Sequence, residues 1–274
     1  MKKIDWTAFT VGLGFGGIIA SILMSLRSRA SAPYAAASND NKNKLYAPPA
    51  FRVTDREKLF ESIRTSGLAI LTFVDRAGVM RAVHLPTVIM PTLSDDDSSL
   101  VIGAHLARAN QNAQELLYSS SAGPTQALLI FQLTPPHEGY VSANFYDKEA
   151  AGGRVVPTWD YTTVHARGTI TMHSSEDGDG KLLQILNALT NKFEAQAIAK
   201  KPGGGGHLWK VADAPAEYVN QHMKSIVGLS FKVSSLEGAD KLSQNKPVET
   251  RQRVAAGLRN SGSIAVAEAV ALAI

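Results

Sequence analysis

Alternating apolar and polar positions run through the middle of the chain and predict short β-strands joined by turns. Leu68–Val74 is apolar and rich in residues that favour strands, and Val79–Met90 follows it after the turn Asp75–Gly78, so the two runs predict a hairpin. Further runs of strand character cover 100–104, 126–133, 138–144, 161–172 and 229–233. About seven strands connected in this way indicate an antiparallel sheet.

Helical spacing of apolar residues is confined to a few segments. The clearest helix is predicted at 181–199, with Leu182, Ile185 and Leu189 on one face. Shorter helices are predicted at 55–66, 107–118, 214–224, 247–258 and 263–273. Because few helices separate the strands, a parallel α/β sheet is excluded. We expect a mainly β protein with peripheral helices (α+β), built on a small antiparallel barrel. Side chains fill the interior of such a barrel, so a ligand binds outside it, in a groove or at a subunit interface.

The first residues of the chain form a separate segment. No charged residue occurs from Trp6 to Leu26, a run long enough to cross a bilayer at about 1.5 Å per residue. We therefore expect a hydrophobic anchor or targeting helix at 1–27, a flexible linker at 28–45 and a folded domain at 46–274. A membrane-anchored protein with a soluble domain is the first interpretation. A targeting segment that leaves the protein cytoplasmic or organellar is the second, and a soluble helix is the third.

Composition excludes several kinds of chemistry. The 274 residues include no cysteine, so disulfides, thiolate catalysis and iron–sulfur clusters are excluded. The net charge of +4, from 28 basic and 24 acidic residues, is mild, and no helix carries clustered arginine and lysine. These features argue against direct nucleic-acid binding. The sequence also contains no HExxH or GxSxG motif, which argues against hydrolytic and metal chemistry.

A candidate anion site begins where a predicted strand leads into a helix. His105, Arg108 and Asn110 lie at this junction. The free N–H groups of a helix N-terminus together with an arginine fork suit a phosphate, and Asn110 can also cap the helix. A solvated surface arginine is the alternative interpretation. Arg81 and His84, on the second strand of the predicted hairpin, can add to this site, although His84 can equally be a barrel histidine.

Two further motifs carry polar and aromatic residues. Trp159 and Tyr161 follow Pro157 at the start of a strand and can provide a flat face for a ring, although packing is the commoner role of such residues. The segment Lys241–Asn245 is a polar cluster that suits a loop and a helix cap.

Taken together, these motifs resemble a known family. HLP at 84–86, HLARAN at 105–110, VPTWDY at 156–161 and KLSQN at 241–245 are similar to the PaiB-type FMN-binding negative transcriptional regulators. YAPPAF at 46–51, YVS at 140–142 and IVGLSFKVSSLEG at 226–238 also resemble that family. The resemblance covers about 46–260 and leaves the N-terminal segment outside.

The resemblance implies an FMN-binding split β-barrel that forms a homodimer with the flavin at the subunit interface. It implies that Arg108 and its neighbours hold the FMN phosphate and that the strand 81–86 lines the flavin groove. The cofactor-binding residues expected on this basis are Arg81, His84, His105, Arg108, Asn110, Trp159, Tyr161, Lys241 and Gln244. The role of the segment 241–245 is left unassigned.

The chain departs from the family pattern at three places. Asp160 stands where the family usually has asparagine, so we expect its carboxylate to point away from the flavin or to pair with a base. The segments 142–146 and 131–140 also differ from the family. Flavin-dependent oxidation or reduction of a small substrate, with His84, His165 or Tyr161 as acid or base, is an alternative function. A flavin-free interaction scaffold is another.

Overall fold

The computed structural model describes residues 44–90, 100–133, 137–201 and 205–273, and within these ranges all strands belong to one antiparallel sheet. The strands are β1 (Arg52–Val53), β2 (Leu68–Val74), β3 (Met80–Pro86), β4 (Val88–Ile89), β5 (Val101–Ala107), β6 (Thr125–Gln132), β7 (Glu138–Val141), β8 (Thr158–His173) and β9 (Ile226–Lys241). The helices are α1 (Arg56–Thr65), α2 (Gln111–Ser120), α3 (Lys181–Ala199), α4 (Ala216–Met223), α5 (Val248–Asn260) and α6 (Ile264–Leu272). Residues from Leu45 onward form one compact unit.

The sheet closes on itself through a single bent segment. Its strand order is β3-β2-β6-β8-β9-β5-β4, so the two ends of the order are β3 and β4. Only Thr87 separates these two strands in the chain, and β3 also contacts β5. The predicted strand 79–90 is therefore two strands, because the chain bends at Thr87 to close the barrel. The expected antiparallel barrel with peripheral helices is confirmed.

Side chains fill the interior of the barrel. The largest of them are almost completely inaccessible to solvent; among them are Leu71, Ile102, Leu129, Phe131, Ile170, Leu229 and Phe231. Along β8 the buried positions alternate with partly exposed ones, as the two faces of a strand require. The packed interior supports the expectation that a ligand binds on the outside of the sheet.

The two central strands are longer than the sequence pattern predicts. β8 and β9 each have 16 residues and pair from Tyr161↔Lys241 to His173↔Gly228. The predicted strand 229–233 misses most of β9, because Ser234, Ser235 and Glu237 interrupt the alternation of apolar residues. The register shifts at a bulge beside Gly168, where a Cβ atom would lie 2.1 Å from the carbonyl oxygen of Lys232. Glycine is therefore required at this close approach of two strands.

Helix boundaries follow from capping side chains. Asp55 caps α1 by accepting hydrogen bonds from the backbone N–H groups of Glu57 and Lys58. Helix α2 begins at Gln111 rather than at residue 107, because β5 continues to Ala107. The predicted cap at Asn110 is confirmed, since its side chain accepts a hydrogen bond from the N–H group of Asn112.

A second apolar cluster lies outside the barrel, at the C-terminal end of the chain. Buried residues of α5 and α6, among them Val254, Leu258, Val266 and Val270, pack with Val141 of β7 and Leu242. This cluster places the C-terminal helices beside the first residues of β8, because β7 pairs with that part of the strand.

The expectation of a transmembrane helix is corrected. Within the ranges that the structure describes, no helix combines the length and the hydropathy that crossing a membrane requires. The longest helix, α3, carries Lys181, Lys192 and Glu194. The segment 6–26, for which the anchor was predicted, and most of the linker 28–45 lie outside the described residues.

A largely buried lysine lies at the bend that closes the barrel. The ammonium group of Lys192 donates to the carbonyl oxygens of Ser66, at 2.9 Å, and Thr87, at 2.8 Å. It therefore connects α3 to the end of α1 and to the link between β3 and β4. Burial lowers the pKa of Lys192 from its ordinary value of 10.5 to about 8.

This pKa predicts a specific dependence of stability on pH. The unfolded chain binds a proton at residue 192 up to about pH 10.5, whereas the folded chain releases it near pH 8. The contribution of Lys192 to the free energy of unfolding should therefore rise as the pH increases from 8 to 10.5. Urea denaturation of the wild type and Lys192→Met at several pH values measures this difference. Lys200→Met, at the exposed end of the same helix, is the control, and an equal pH dependence in both variants would contradict the prediction.

Candidate functional site

A groove of about 440 Å³ runs over the outer face of β2, β3, β6 and β8. Its apolar floor includes Leu68, Ile70 and Ile130, and its polar and aromatic groups include His84, Trp159, Tyr161, Thr163 and His137. The structure thus brings together three of the residues that the sequence predicted for the site, namely His84, Trp159 and Tyr161. His165, the third candidate acid or base, lies on β8 beside Ile130 and Glu237, and burial lowers its pKa.

The apolar floor was missed by sequence reasoning. Leu68 and Ile70 belong to an uninterrupted apolar run, and Ile130 belongs to another at 127–131. A strand with apolar residues on both faces is normally covered on both faces. The lack of alternation in these runs was therefore the signal that the outer face is also a contact surface. Leu68 is nonetheless 48% exposed, which leaves apolar surface at the edge of the groove.

A wider cleft of about 840 Å³ adjoins the groove, between β7 and the turn that connects α5 to α6. Glu138 and Trp159 line both spaces. The indole ring of Trp159 is tilted by 53° against the ring of Tyr140, with the ring centroids 6.1 Å apart. Both side chains are about half exposed, so the aromatic pair presents free surface to the groove and to the cleft.

Asp160, between the two groove aromatics, is completely buried. Its carboxylate accepts hydrogen bonds from the hydroxyl group of Ser243, at 2.7 Å, and from the ammonium group of Lys241, at 3.3 Å. Burial raises the pKa of Asp160, while both hydrogen bonds and the positive charge of Lys241 act in the opposite direction. The expectation that Asp160 pairs with a base is confirmed. Burial and the negative charge of Asp160 together raise the pKa of Tyr146.

The segment 241–245 forms a tight turn after β9. The ammonium group of Lys241 also donates to the hydroxyl group of Thr158, at 2.7 Å, and to the carbonyl oxygen of Trp159. The amide of Gln244 accepts from the N–H group of Leu242, at 2.7 Å, and donates to the carbonyl oxygen of Asp240. The polar atoms of Lys241 and Gln244 therefore bind the protein itself, which gives the unassigned segment a structural role.

Ser243 has a left-handed backbone conformation within this turn, with φ at 58°. A non-glycine residue in this region costs free energy, so its contacts must compensate. The buried hydrogen bond from Ser243 to Asp160 is one such contact.

The junction between β5 and α2 has a different character. The guanidinium group of Arg108 donates through Nε to the carbonyl oxygen of Lys224, at 3.0 Å, while its buried Nη2 has no hydrogen-bond partner among the described residues. The buried Nδ1 atom of His105 likewise lacks a partner within the described part of the chain. Burial lowers the pKa of His105, so its imidazole is neutral at pH 7. A guanidinium donor left unpaired in this way suits an anionic ligand.

Arg81 lies at the start of β3, three residues before His84. Its guanidinium group forms an ion pair with Asp75, at 2.8 Å, and lies 3.7 Å from the carboxylate of Glu115. Hydrogen bonds from the N–H group of Val79, above all, and from Arg81 lower the pKa of Asp75. The structure therefore places Arg81 at the β2–β3 turn and not in the groove.

Strand β3 separates the two parts of the candidate site. On one side it pairs with β2, where His84 lies opposite Ile70 at the groove. On its other side it contacts β5, whose end carries His105 and leads to Arg108. The arrangement can hold a flat, largely apolar ring in the groove and a negatively charged group at the junction.

Comparisons with known proteins agree with the motifs of the sequence. The chain is 30% identical over 222 residues to an uncharacterized protein of Emericella nidulans, which covers 75% of this chain and 86% of that protein. It is 26% identical over 216 residues to "Protease synthase and sporulation protein PAI 2" of Bacillus subtilis, which covers 79% of this chain and 90% of that protein.

The comparison with solved structures includes a pyridoxamine 5'-phosphate oxidase-related, FMN binding protein from Nostoc punctiforme. It has a TM-score of 0.37 and 10% identity, and the likeness covers 69% of this chain and 84% of that one. Residues 45–235 match the family described as "Putative FMN-binding domain". Because this match spans more than half of the chain, the protein belongs to that family, and its resemblance to the PaiB-type proteins is confirmed.

Proposed function

We propose that the protein binds FMN with the isoalloxazine ring in the groove over β2, β3, β6 and β8 and the phosphate at the β5–α2 junction. FMN is the cofactor that the family description gives. FMN combines a flat ring with a phosphate, and the two parts of the site offer an apolar, aromatic groove and an unpaired cationic donor, the guanidinium group of Arg108. The residues present therefore fit the cofactor.

The observation that carries the proposal is the buried, unpartnered Nη2 atom of Arg108. A buried donor without an acceptor costs free energy, and a phosphate oxygen removes this cost. The neutral imidazole of His105 can donate a further hydrogen bond to the phosphate in the tautomer that carries its proton on Nδ1. The free N–H groups at the N-terminus of α2 can bind the same phosphate. Arg81, Lys241 and Gln244 support the surrounding fold through the protein contacts described above.

Bound FMN supplies one- and two-electron redox chemistry. Around the ring, Trp159 and Tyr161 offer aromatic surface, and His84 offers a titratable group on β3. Oxidation or reduction of a small substrate is the second candidate function, because the groove brings His84 and Tyr161 to the same space. Oxidation of NAD(P)H by the FMN-loaded protein is the measurement for this second function.

A homodimer is part of the proposal. The outer face of the sheet beside the groove carries exposed apolar side chains, among them Leu68, Val74 and Met80, and the partly exposed Ile70 and Ile130. Contiguous apolar surface of this kind is typical of an interface. A second copy of the chain on this face would cover the groove and exclude water from the ring.

Binding of FMN tests the phosphate contact directly. Titration of the full chain should quench flavin fluorescence and shift the visible absorption bands. Arg108→Ala should weaken FMN binding by about 1.5–3 kcal/mol, or roughly 10–150-fold, because charge-assisted hydrogen bonds are lost.

Riboflavin, which lacks the phosphate, makes this test specific. The wild type should prefer FMN to riboflavin, whereas Arg108→Ala should show a clearly smaller preference, because His105 and the N-terminus of α2 remain. Arg259→Ala, in the exposed last turn of α5, is the matched control and should retain the preference. A wild type that binds neither flavin would favour the interaction scaffold, and an unchanged preference in Arg108→Ala would place the phosphate elsewhere.

The dimer predicts the effect of a charge on the outer face. Ile130→Asp should give a monomer in sedimentation velocity, because a carboxylate cannot be buried in an apolar interface without a partner. Val248→Asp, at the start of α5, also places a carboxylate on exposed apolar surface and should leave the assembly unchanged. A wild type that sediments as a monomer would contradict the proposed interface.

A further inference from the structure

The first residues of β8 lack the strand neighbour that holds the rest of the strand. Pairing between β8 and β9 begins at Tyr161↔Lys241, so Thr158, Trp159 and Asp160 extend beyond the end of β9. On their other side they pair with the four-residue strand β7. A strand end with one short neighbour is expected to fray unless side chains hold it.

The side chain of Lys241 binds the residues of β8 that β9 does not pair with. Its ammonium group, from the last residue of β9, donates to the hydroxyl group of Thr158, to the carbonyl oxygen of Trp159 and to the carboxylate of Asp160. Three hydrogen bonds thus fix three consecutive residues. Ser243 holds the same carboxylate from the turn that follows.

The alternation of side chains links this contact to the groove. Successive side chains of a strand point to opposite faces, so the buried Asp160 lies on the face opposite Trp159 and Tyr161. Trp159 and Tyr161 line the groove, and Trp159 is about half exposed. About half of the indole ring therefore lacks packing contacts, so the backbone at 158–160, together with the ring of Tyr140, determines where it lies.

We propose that Lys241, Ser243 and Asp160 are positioning residues for FMN binding, because they fix the start of β8 and so direct Trp159 and Tyr161 into the groove. The proposal rests on the proposed function of the groove. Preorganisation of this kind strengthens binding because the ligand does not have to order the site.

The variants are chosen so that the effect of losing the hydrogen bonds of Lys241 can be distinguished from the effect of leaving Asp160 buried without its cation. Lys241→Met alone leaves Asp160 buried without its cation, which is strongly destabilising. The double variant Lys241→Met/Asp160→Asn removes both charges and the three hydrogen bonds. Asp160→Asn alone removes the negative charge but keeps the three hydrogen bonds of Lys241, since an amide can accept from Lys241 and can donate to the hydroxyl group of Ser243. Ser243→Ala, which removes one hydrogen bond, is a milder second variant.

The first measurement does not depend on the flavin. In a Trp6→Phe/Trp209→Phe background, Trp159 is the remaining tryptophan, and its emission and its quenching by acrylamide report its surroundings. The double variant should shift the emission to longer wavelength and increase the quenching, whereas Asp160→Asn should not. Unchanged emission in the double variant would overturn the proposal, even for a protein that binds no FMN.

The second measurement is FMN affinity. The double variant should bind FMN about tenfold more weakly or worse, Ser243→Ala should show a smaller loss in the same direction, and Asp160→Asn should stay within about threefold of the wild type. Val254→Ala removes packing from the C-terminal cluster without altering these hydrogen bonds, so it is the control for a general loss of stability. An equal loss of affinity in Val254→Ala, at an equal fall in Tm, would overturn the proposal.

Discussion

Closure of the sheet at Thr87 is the constraint on which the rest of the structure depends. Because β3 continues into β4 after a single residue, one segment of chain forms both ends of the strand order, and the interior becomes a closed core. The ammonium group of Lys192 binds the carbonyl oxygen of Thr87 at this bend, where strand pairing is interrupted. Because the interior is closed and filled by side chains, it cannot hold a ligand. Closure also places a different surface on each side of β3. One flank is the groove and the other is the end of β5, so a cofactor with a ring and a phosphate can use both.

The apolar outer face follows from the same constraint. A closed barrel of this size buries one face of each strand, yet β2 and β6 carry apolar residues on both faces. On the side of β5 and β9, α3 covers the outer face with Ile185 and Leu189. On the side of β2, β3 and β6, the described residues leave Leu68 and Met80 exposed. Helix α3 therefore covers the outer face on one side of the barrel, and the proposed flavin and second copy suit the exposed apolar face on the other side.

Sequence reasoning recovered what local patterns determine. The hairpin, the helix at 181–199, the cap at Asn110 and the pairing of Asp160 with a base follow from short-range rules about turns, periodicity, capping and buried charge. The sequence pattern predicted only residues 229–233 of β9. The second half of β9 is a strand because it pairs with β8 and β1, although its apolar and polar residues do not alternate. The role of Lys241 was inaccessible for a related reason. Its partners lie more than 80 residues away in the chain, and no local signal predicts which strand ends a lysine will join.

The residues predicted for the site fall into two groups: those whose polar atoms are bonded within the protein and those that keep an unpaired polar atom. The side chains of Arg81, Lys241 and Gln244 are of the polar types that bind ligands, yet each already forms ion pairs or hydrogen bonds within the protein. The side chains of Arg108 and His105 are also of such types, but each keeps a buried nitrogen without a partner among the described residues. A fold that leaves such atoms unpaired loses stability in the absence of a ligand and regains it on binding. In the proposed function, the unpaired nitrogens of Arg108 and His105 are where FMN gains binding energy, whereas the contacts of Lys241 and Gln244 hold the segment 241–245 in shape.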